Sequence, residues 1–214
     1  MKYGALVREL VRIARFIASS LRTHGDALLS TSTTLRPLTS RAGQKWSTGP
    51  SLTCFVRPAR ECGDGEWPLV SRVLAEAGGH WSDTIIWAKD RFVLGRADYQ
   101  HQYEPLWYGW REGIKRQFRG GRGQSDVWEI PRPEESPLHP TMKPLALVER
   151  ALENSSRTQD AVLDLFLGSG STLVAAERTG RICYGMELDE HYCSLAIARW
   201  EAFTGKSATK DSSR

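Results

Sequence analysis

No stretch of this 214-residue chain is apolar for long enough to span a bilayer, which excludes a transmembrane helix. Cysteine is scarce, and Cys54, Cys62, Cys183 and Cys193 show no metal-ligand spacing. His24, His80, His101, His139 and His191 are scattered, so neither a metal site nor a His-based nucleophile is indicated. A reduced, cytoplasmic compartment suits that cysteine usage. There are no internal repeats, and no two prolines are consecutive anywhere. Acidic residues run short at one end only. Residues 1–65 hold ten Lys+Arg against four Asp+Glu, a net +6, whereas the whole chain is +4. The rest is therefore slightly acidic, and the basic balance comes from the first segment. The length suits one ordinary domain with a sizeable core.

What is present is concentrated towards the C-terminus. Ala161 to Leu167 is a short apolar run, expected as a parallel strand buried on both faces. Gly168 and Gly170 then let the backbone turn tightly and approach a ligand with no Cβ in the way. Ser171 is placed to cap a helix from roughly Thr172 to Thr179, with Gly180 as its left-handed stop. Arg181 to Met186 reads as the next strand. Glu187 sits at its carboxyl end, where an acidic side chain can accept hydrogen bonds from both hydroxyls of a ribose. Asp189 caps a last helix whose apolar face runs Tyr192, Leu195, Ala196, Trp200 and Phe203, with Gly205 as its stop. Strand, Gly-x-Gly turn, helix and acidic strand end together form the adenosine-binding half of a Rossmann-type α/β fold.

Several ligands use such a half. A dinucleotide site wants a third glycine where this chain has Leu173, and no lysine follows Gly170 to cradle a triphosphate. An adenosyl ligand without phosphates fits better, with S-adenosylmethionine foremost; the alternative is turn chemistry with no ligand. Just ahead lies His139-Pro140-Thr141-Met142-Lys143-Pro144. Pro144 suits the first turn of a helix with Leu145, Val148 and Leu152 on one face. On spacing alone this is equally a proline-rich helix entry with Lys143 as a solvated charge.

The combination is more specific than its parts. His-Pro-Thr-x-Lys-Pro, then Asp164-Leu165-Phe166-Leu167-Gly168-Ser169-Gly170-Ser171, then Gly185-Met186-Glu187-Leu188-Asp189 resembles the DNA adenine and cytosine amino-methyltransferases whose catalytic motif precedes the cofactor motifs. Such enzymes are common in restriction–modification systems and prophages. The similarity runs from about Trp67 to Gly205 and includes Ala77 to Trp81, Ile86 to Lys89, Gly95 to Tyr99 and Tyr103 to Trp110. The resemblance implies a Rossmann-like S-adenosylmethionine-dependent fold acting on double-stranded DNA. It implies that Asp164, Phe166, Gly168 and Gly170 line the cofactor pocket, that Glu187 holds the ribose, and that Thr141 and Lys143 close the methionine end. Leucine at 165 and 167 departs from the family's usual proline and small residue.

Between Trp107 and Arg122 the chain is basic and aromatic. Arg111, Lys115, Arg116, Arg119 and Arg122 face a single acid, Glu112, with Trp107, Trp110 and Phe118 interleaved. Cations for phosphates and planar rings for bases are what a groove-tracking loop needs; a solvated basic loop is the plainer alternative. In the family this region holds the target-recognition segment. Asp126 to Ile130 reads as a strand returning to the core.

One expected element is absent. In the family, an Asp/Asn/Ser-Pro-Pro-aromatic loop binds the amino group and stacks on a base flipped out of the duplex. It should precede Gly78, and no such motif occurs in this chain. No catalytic residue is therefore assigned. Met1 to Leu21 can form an amphipathic helix, and Ser30 to Pro50 reads as loop or disorder. A mis-started or frame-shifted N-terminus explains residues 1–65 best; a transit peptide or a divergent extension are the alternatives. If that segment does not fold, the methyltransferase sheet is short of strands on its N-terminal side.

The resulting expectation is an unmatched segment over residues 1–65, a methyltransferase domain over 66–205 and a tail over 206–214. Target recognition falls at about 100–130 and cofactor binding at 139–205. The expected reaction transfers methyl from S-adenosylmethionine to an exocyclic amino group of adenine or cytosine in DNA, with a homodimer or complementing subunit as partner. A catalytically inactive remnant that binds cofactor or DNA is the alternative. No metal and no membrane partner are expected.

Overall fold

The computed structural model describes residues 71–72, 75–76, 78–96, 98–113, 116, 118–133 and 142–210, and the two-residue strands Ala27–Leu28 and Pro37–Leu38. Those two strands pair antiparallel, so Pro37 and Leu38, inside the stretch read as loop, form a short ladder. The helix expected over Met1 to Leu21 lies outside the described residues, as do Lys115 and Thr141.

A long hairpin dominates the first half. Strand β1 (Gly79–Val93) and strand β2 (His101–Arg111) are rich in β-branched and aromatic residues, which pack well on a pleated surface. They pair antiparallel, with Thr84 opposite Trp107 and Ile86 opposite Pro105, and the register slips between Trp81 and Asp83 and again between Ala88 and Val93. Strand β3 (Val127–Glu129) runs parallel to β1 on its other side, placing Trp128 beside Trp87. The order is β2-β1-β3. Among the described residues β2 is thus an edge, where a proline such as Pro105 costs the ladder least.

Helix α1 (Leu145–Ser155) leads to the second sheet, strands β4 (Ala161–Asp164) and β5 (Ile182–Gly185), which pair parallel with Ala161 opposite Ile182. Helix α2 (Ser171–Arg178) makes the crossover and helix α3 (Glu190–Thr204) follows β5. This β4–α2–β5 unit is the Rossmann-like half that the sequence predicts. Helix α1 serves two cores. Its Leu147 and Ala151 join Trp87, Leu106 and Trp128 against the three-stranded sheet. Its Val148 and Leu152 join Ala175 and Ala176 of α2, with Val162 and Cys183 of the second sheet packed alongside.

Both caps expected for α3 are met. Asp189 caps α3 by accepting from the His191 backbone N–H at 2.8 Å, and Gly205 closes it at φ 68°. Three expectations need correction. Ser171 is not the side-chain cap of α2: Gly170 holds the cap position, and the Ser171 hydroxyl donates to the Lys143 carbonyl at 3.2 Å. The β4 strand is not buried on both faces: among the described residues the Val162 side packs against α1 and α2, while Leu163 on the other side is 45% exposed. On α3 only Ala196 is fully buried, and Phe203 is 48% exposed because the helix is long and meets α2 over a limited stretch.

Candidate functional site

The carboxyl ends of β4 and β5 converge on one turn. After Asp164 the chain reverses through Leu165 to Gly170, with Leu167 N–H donating to the Met186 carbonyl at 2.9 Å and Gly170 N–H to the Leu167 carbonyl at 3.0 Å. The Asp164 carboxylate accepts from the Phe166 N–H at 2.9 Å, which fixes the entry to the turn. Phe166 itself stands 60% exposed beside it, an aromatic face available to a planar ligand.

Glu187 lies across this turn. Its Oε2 accepts from Gly168 N–H at 2.7 Å, and its Oε1 accepts from Leu188 and Asp189 N–H at 2.8 and 3.0 Å. An ionised carboxylate has about four acceptor positions, so in this arrangement about one is left for a ligand. Gly168 and Gly170 have positive φ, 53° and 78°. A Cβ built on Gly170 would lie 2.9 Å from the Ala196 Cβ and 3.0 Å from its Cα, so α3 backs the turn closely.

Lys143 sits between the two sheets. Its carbonyl receives the Ser171 hydroxyl, while its ammonium is hydrogen-bonded to the Glu104 carboxylate on β2. The other Glu104 oxygen holds Lys89 at 2.8 Å, and Lys89 is buried. Both ammonium groups stand over the Trp87 ring, at 5.3 Å for Lys89 and 4.9 Å for Lys143. Burial would by itself raise the Glu104 carboxyl, but the charges and hydrogen bonds of Lys143 and Lys89 outweigh it and hold it below its ordinary value. Sequence reading missed Lys89 and Glu104 as a pair with Lys143. Their spacing of fifteen or more residues carries no local signal.

The basic and the aromatic residues of this region differ in exposure. Arg116, Arg119 and Arg122 are exposed on the segment after β2. Arg111 ends β2, and its side chain is outside the described residues. Trp107 is buried at 5% exposure, edge-on to Trp81, on the face of β2 opposite Leu106. Trp110 is half-buried and stacks at a tilt on His80, 4.7 Å between centroids. The basic segment is anchored to the far end of α1. Gln124 and buried Asn154 exchange side-chain amide hydrogen bonds at 2.7 and 2.9 Å, and Arg119 N–H donates to the Asn154 carbonyl at 2.8 Å. Arg150 on the same helix stacks on Trp128 at 4.6 Å.

Among the described residues there is no group of three or more His, Cys, Asp or Glu placed to hold a metal, and no helix long and apolar enough to cross a membrane.

A family model described as DNA methylase matches residues 35–198, starting within the basic first segment. Type II methyltransferase M2.LlaDCHI of Lactococcus lactis subsp. cremoris is 31% identical over 124 residues, 56% of this chain and 42% of that protein. Type II methyltransferase M2.DpnII of Streptococcus pneumoniae is 32% identical over 127 residues, 58% of this chain and 43% of that protein. The chain thus spans about two fifths the length of these curated relatives. Among solved structures, M1.HpyAVI in complex with SAM superimposes with a TM-score of 0.57 at 26% identity, over 64% of this chain and 71% of that one.

Proposed function

The chain belongs to the DNA methylase family, and from that premise we propose that it serves transfer of a methyl group from S-adenosylmethionine to an exocyclic amino group of adenine or cytosine in double-stranded DNA. The observation that carries this reading is the Glu187 carboxylate, fixed by backbone N–H groups across the glycine turn at the ends of two parallel strands. An acceptor there suits a ribose hydroxyl, the turn admits a ligand close to the backbone, and exposed Phe166 offers a face to adenine. S-adenosylmethionine, when bound, supplies an electrophilic methyl group. Glu187, Phe166, Gly168 and Gly170 would hold it, with Asp164 shaping the turn. Thr141 and Lys143 complete the methionine end in this reading, and Lys143 does so from a position fixed by Glu104.

Double-stranded DNA is the proposed substrate of the basic segment, with Arg111, Lys115, Arg116, Arg119 and Arg122 for phosphates and Trp110 near the hairpin end. Target recognition is assigned to residues 100–130 and cofactor binding to 139–205. The groups that engage the amino nitrogen are proposed to come from a partner subunit, a second copy or the segment before Gly78. A reduced, cytoplasmic setting belongs to the same reading. It is supported by Cys183 and Cys193, which among the described residues are free thiols.

Calorimetric titration with S-adenosylmethionine, run beside a tritiated methyl-transfer assay on unmethylated duplex DNA, tests the proposal. Binding with transfer establishes it for this chain. Binding without transfer leaves the cofactor half and removes the reaction, and absence of both removes the reading altogether.

Two variants examine the parts. Glu187→Ala is expected to weaken S-adenosylmethionine binding by about 1–3 kcal/mol, through a lost charged acceptor and a loosened Gly168; unchanged affinity in the titration would remove Glu187 from the pocket. Changing Arg116 and Arg119 together is expected to lower duplex affinity by about tenfold and to flatten the log–log salt dependence by about two. A salt slope equal to the parent's would return the segment to a solvated role.

A further inference from the structure

We propose that Arg199 is a positioning residue for cofactor binding, acting on the glycine turn through Ser169. The inference rests on the cofactor reading given under Proposed function. Arg199 lies on α3, thirty residues from the turn, and its Nη1 donates both to the Ser169 carbonyl and to the Ser169 hydroxyl, the latter at 3.0 Å. Ser169 is buried, 5% exposed, between the two positive-φ glycines. Its carbonyl lies one residue ahead of the first that α2 uses, which is Gly170, accepting from Val174 N–H at 3.0 Å. The helix therefore leaves the Ser169 carbonyl without a backbone donor, and a buried carbonyl needs one. Arg199 supplies it.

The surroundings of Arg199 favour this role over an ion pair. No carboxylate among the described residues pairs with the guanidinium, and desolvation alone pulls its pKa below the usual arginine value. A half-buried cation held by a main-chain carbonyl is accepted for the hydrogen bonds it makes. The same helix brings Ala196 against Gly170. One face of α3 thus fixes two successive residues of the turn, Ala196 by contact and Arg199 by charge-assisted hydrogen bonds. Gly168, whose N–H meets Glu187, is the next residue along. Freeing Ser169 would let Gly168 drift from Glu187 and unmake the preformed acceptor arrangement.

The test compares Arg199→Met with Arg199→Lys in the full chain, reading S-adenosylmethionine affinity by calorimetry and backbone amide exchange without ligand. Arg199→Met is expected to bind about tenfold more weakly, with faster exchange confined to Gly168, Ser169 and Gly170. Arg199→Lys, which keeps one charged donor, is expected to recover part of both. Parent-like affinity in Arg199→Met overturns the proposal. So does faster exchange spread evenly over β4, β5 and α2, because that would make Arg199 a general stability residue, and so does failure of Arg199→Lys to recover any protection at the turn. If the parent itself shows no binding, the cofactor reading falls, and with it any role for Arg199 in cofactor binding; the exchange measurement then reports only whether Arg199 orders the turn.

Discussion

Glu104→Gln is expected to destabilise the fold by about 3 kcal/mol, because it leaves buried Lys89 and half-buried Lys143 without their shared carboxylate. The neutral amide can still accept hydrogen bonds but cannot offset two ammonium charges over the Trp87 ring. Urea denaturation of parent and variant measures the loss. A triple change, Glu104→Leu with Lys89→Met and Lys143→Met, is expected to cost less than the single substitution, since no charge is then stranded. A single variant within about 0.5 kcal/mol of the parent would show that water screens the cluster. The pH dependence has a fixed sign. The folded Glu104 carboxyl lies below its ordinary value, so its contribution is complete above that value and is lost as pH falls through the lower folded one. Acid unfolding of the parent should therefore show a step that Glu104→Gln lacks.

Gly170→Ala is expected to be nearly as costly, about 2–4 kcal/mol, from two sources that add. Its φ of 78° is unfavourable for an L side chain, and the new Cβ would meet the Ala196 Cβ at 2.9 Å and Cα at 3.0 Å. Gly205→Ala provides the comparison, since its φ is 68° but nothing lies within 4 Å of the added atom. That variant should lose only about 1–2 kcal/mol. The difference between the two in urea denaturation isolates the contact with α3; equal losses would mean that α3 moves aside without cost.

How much of this was legible in the sequence depended on distance along the chain. The caps at Asp189 and Gly205, the strand β5 just ahead of Glu187 and the turn at Gly168 and Gly170 rest on residues within a few positions of one another, and each lies within a residue or two of where the pattern put it. The core face of α1 was only partly legible. Leu147 and Ala151 pack as deeply as Val148 and Leu152, opposite the polar side of Glu149, Arg150 and Glu153, so the buried stripe is wider than a single i, i+3/i+4 row. The Lys143 to Glu104 link spans 39 residues and the Arg199 to Ser169 link 30. Nothing in local periodicity announces such pairs. Trp107 looked like part of a nucleic-acid surface by its basic neighbours, yet it is buried, as are Leu106 and Tyr108 on either side, because both faces of β2 are covered there. The exposure of Leu163 was illegible for a different reason: an apolar strand looks the same whether one face or both are covered.

The double service of α1 bears on how chains of this kind can be recombined. A chimera that joins the hairpin and basic segment of one homologue to the glycine turn of another must choose where to change parents. Any crossover within Leu145–Ser155 would split Leu147 and Ala151 from the sheet they fill, or Val148 and Leu152 from theirs. A junction just before Leu145 breaks the match to Trp87 and Trp128, and one just after Ser155 breaks the match to Ala175 and Ala176. Whichever parent supplies α1, the opposite core inherits a foreign wall. Swapped hairpin and basic segments should therefore keep the recipient's helix and carry Trp87, Leu106 and Trp128 unchanged, so that a new surface is grafted onto an interior the recipient already fits.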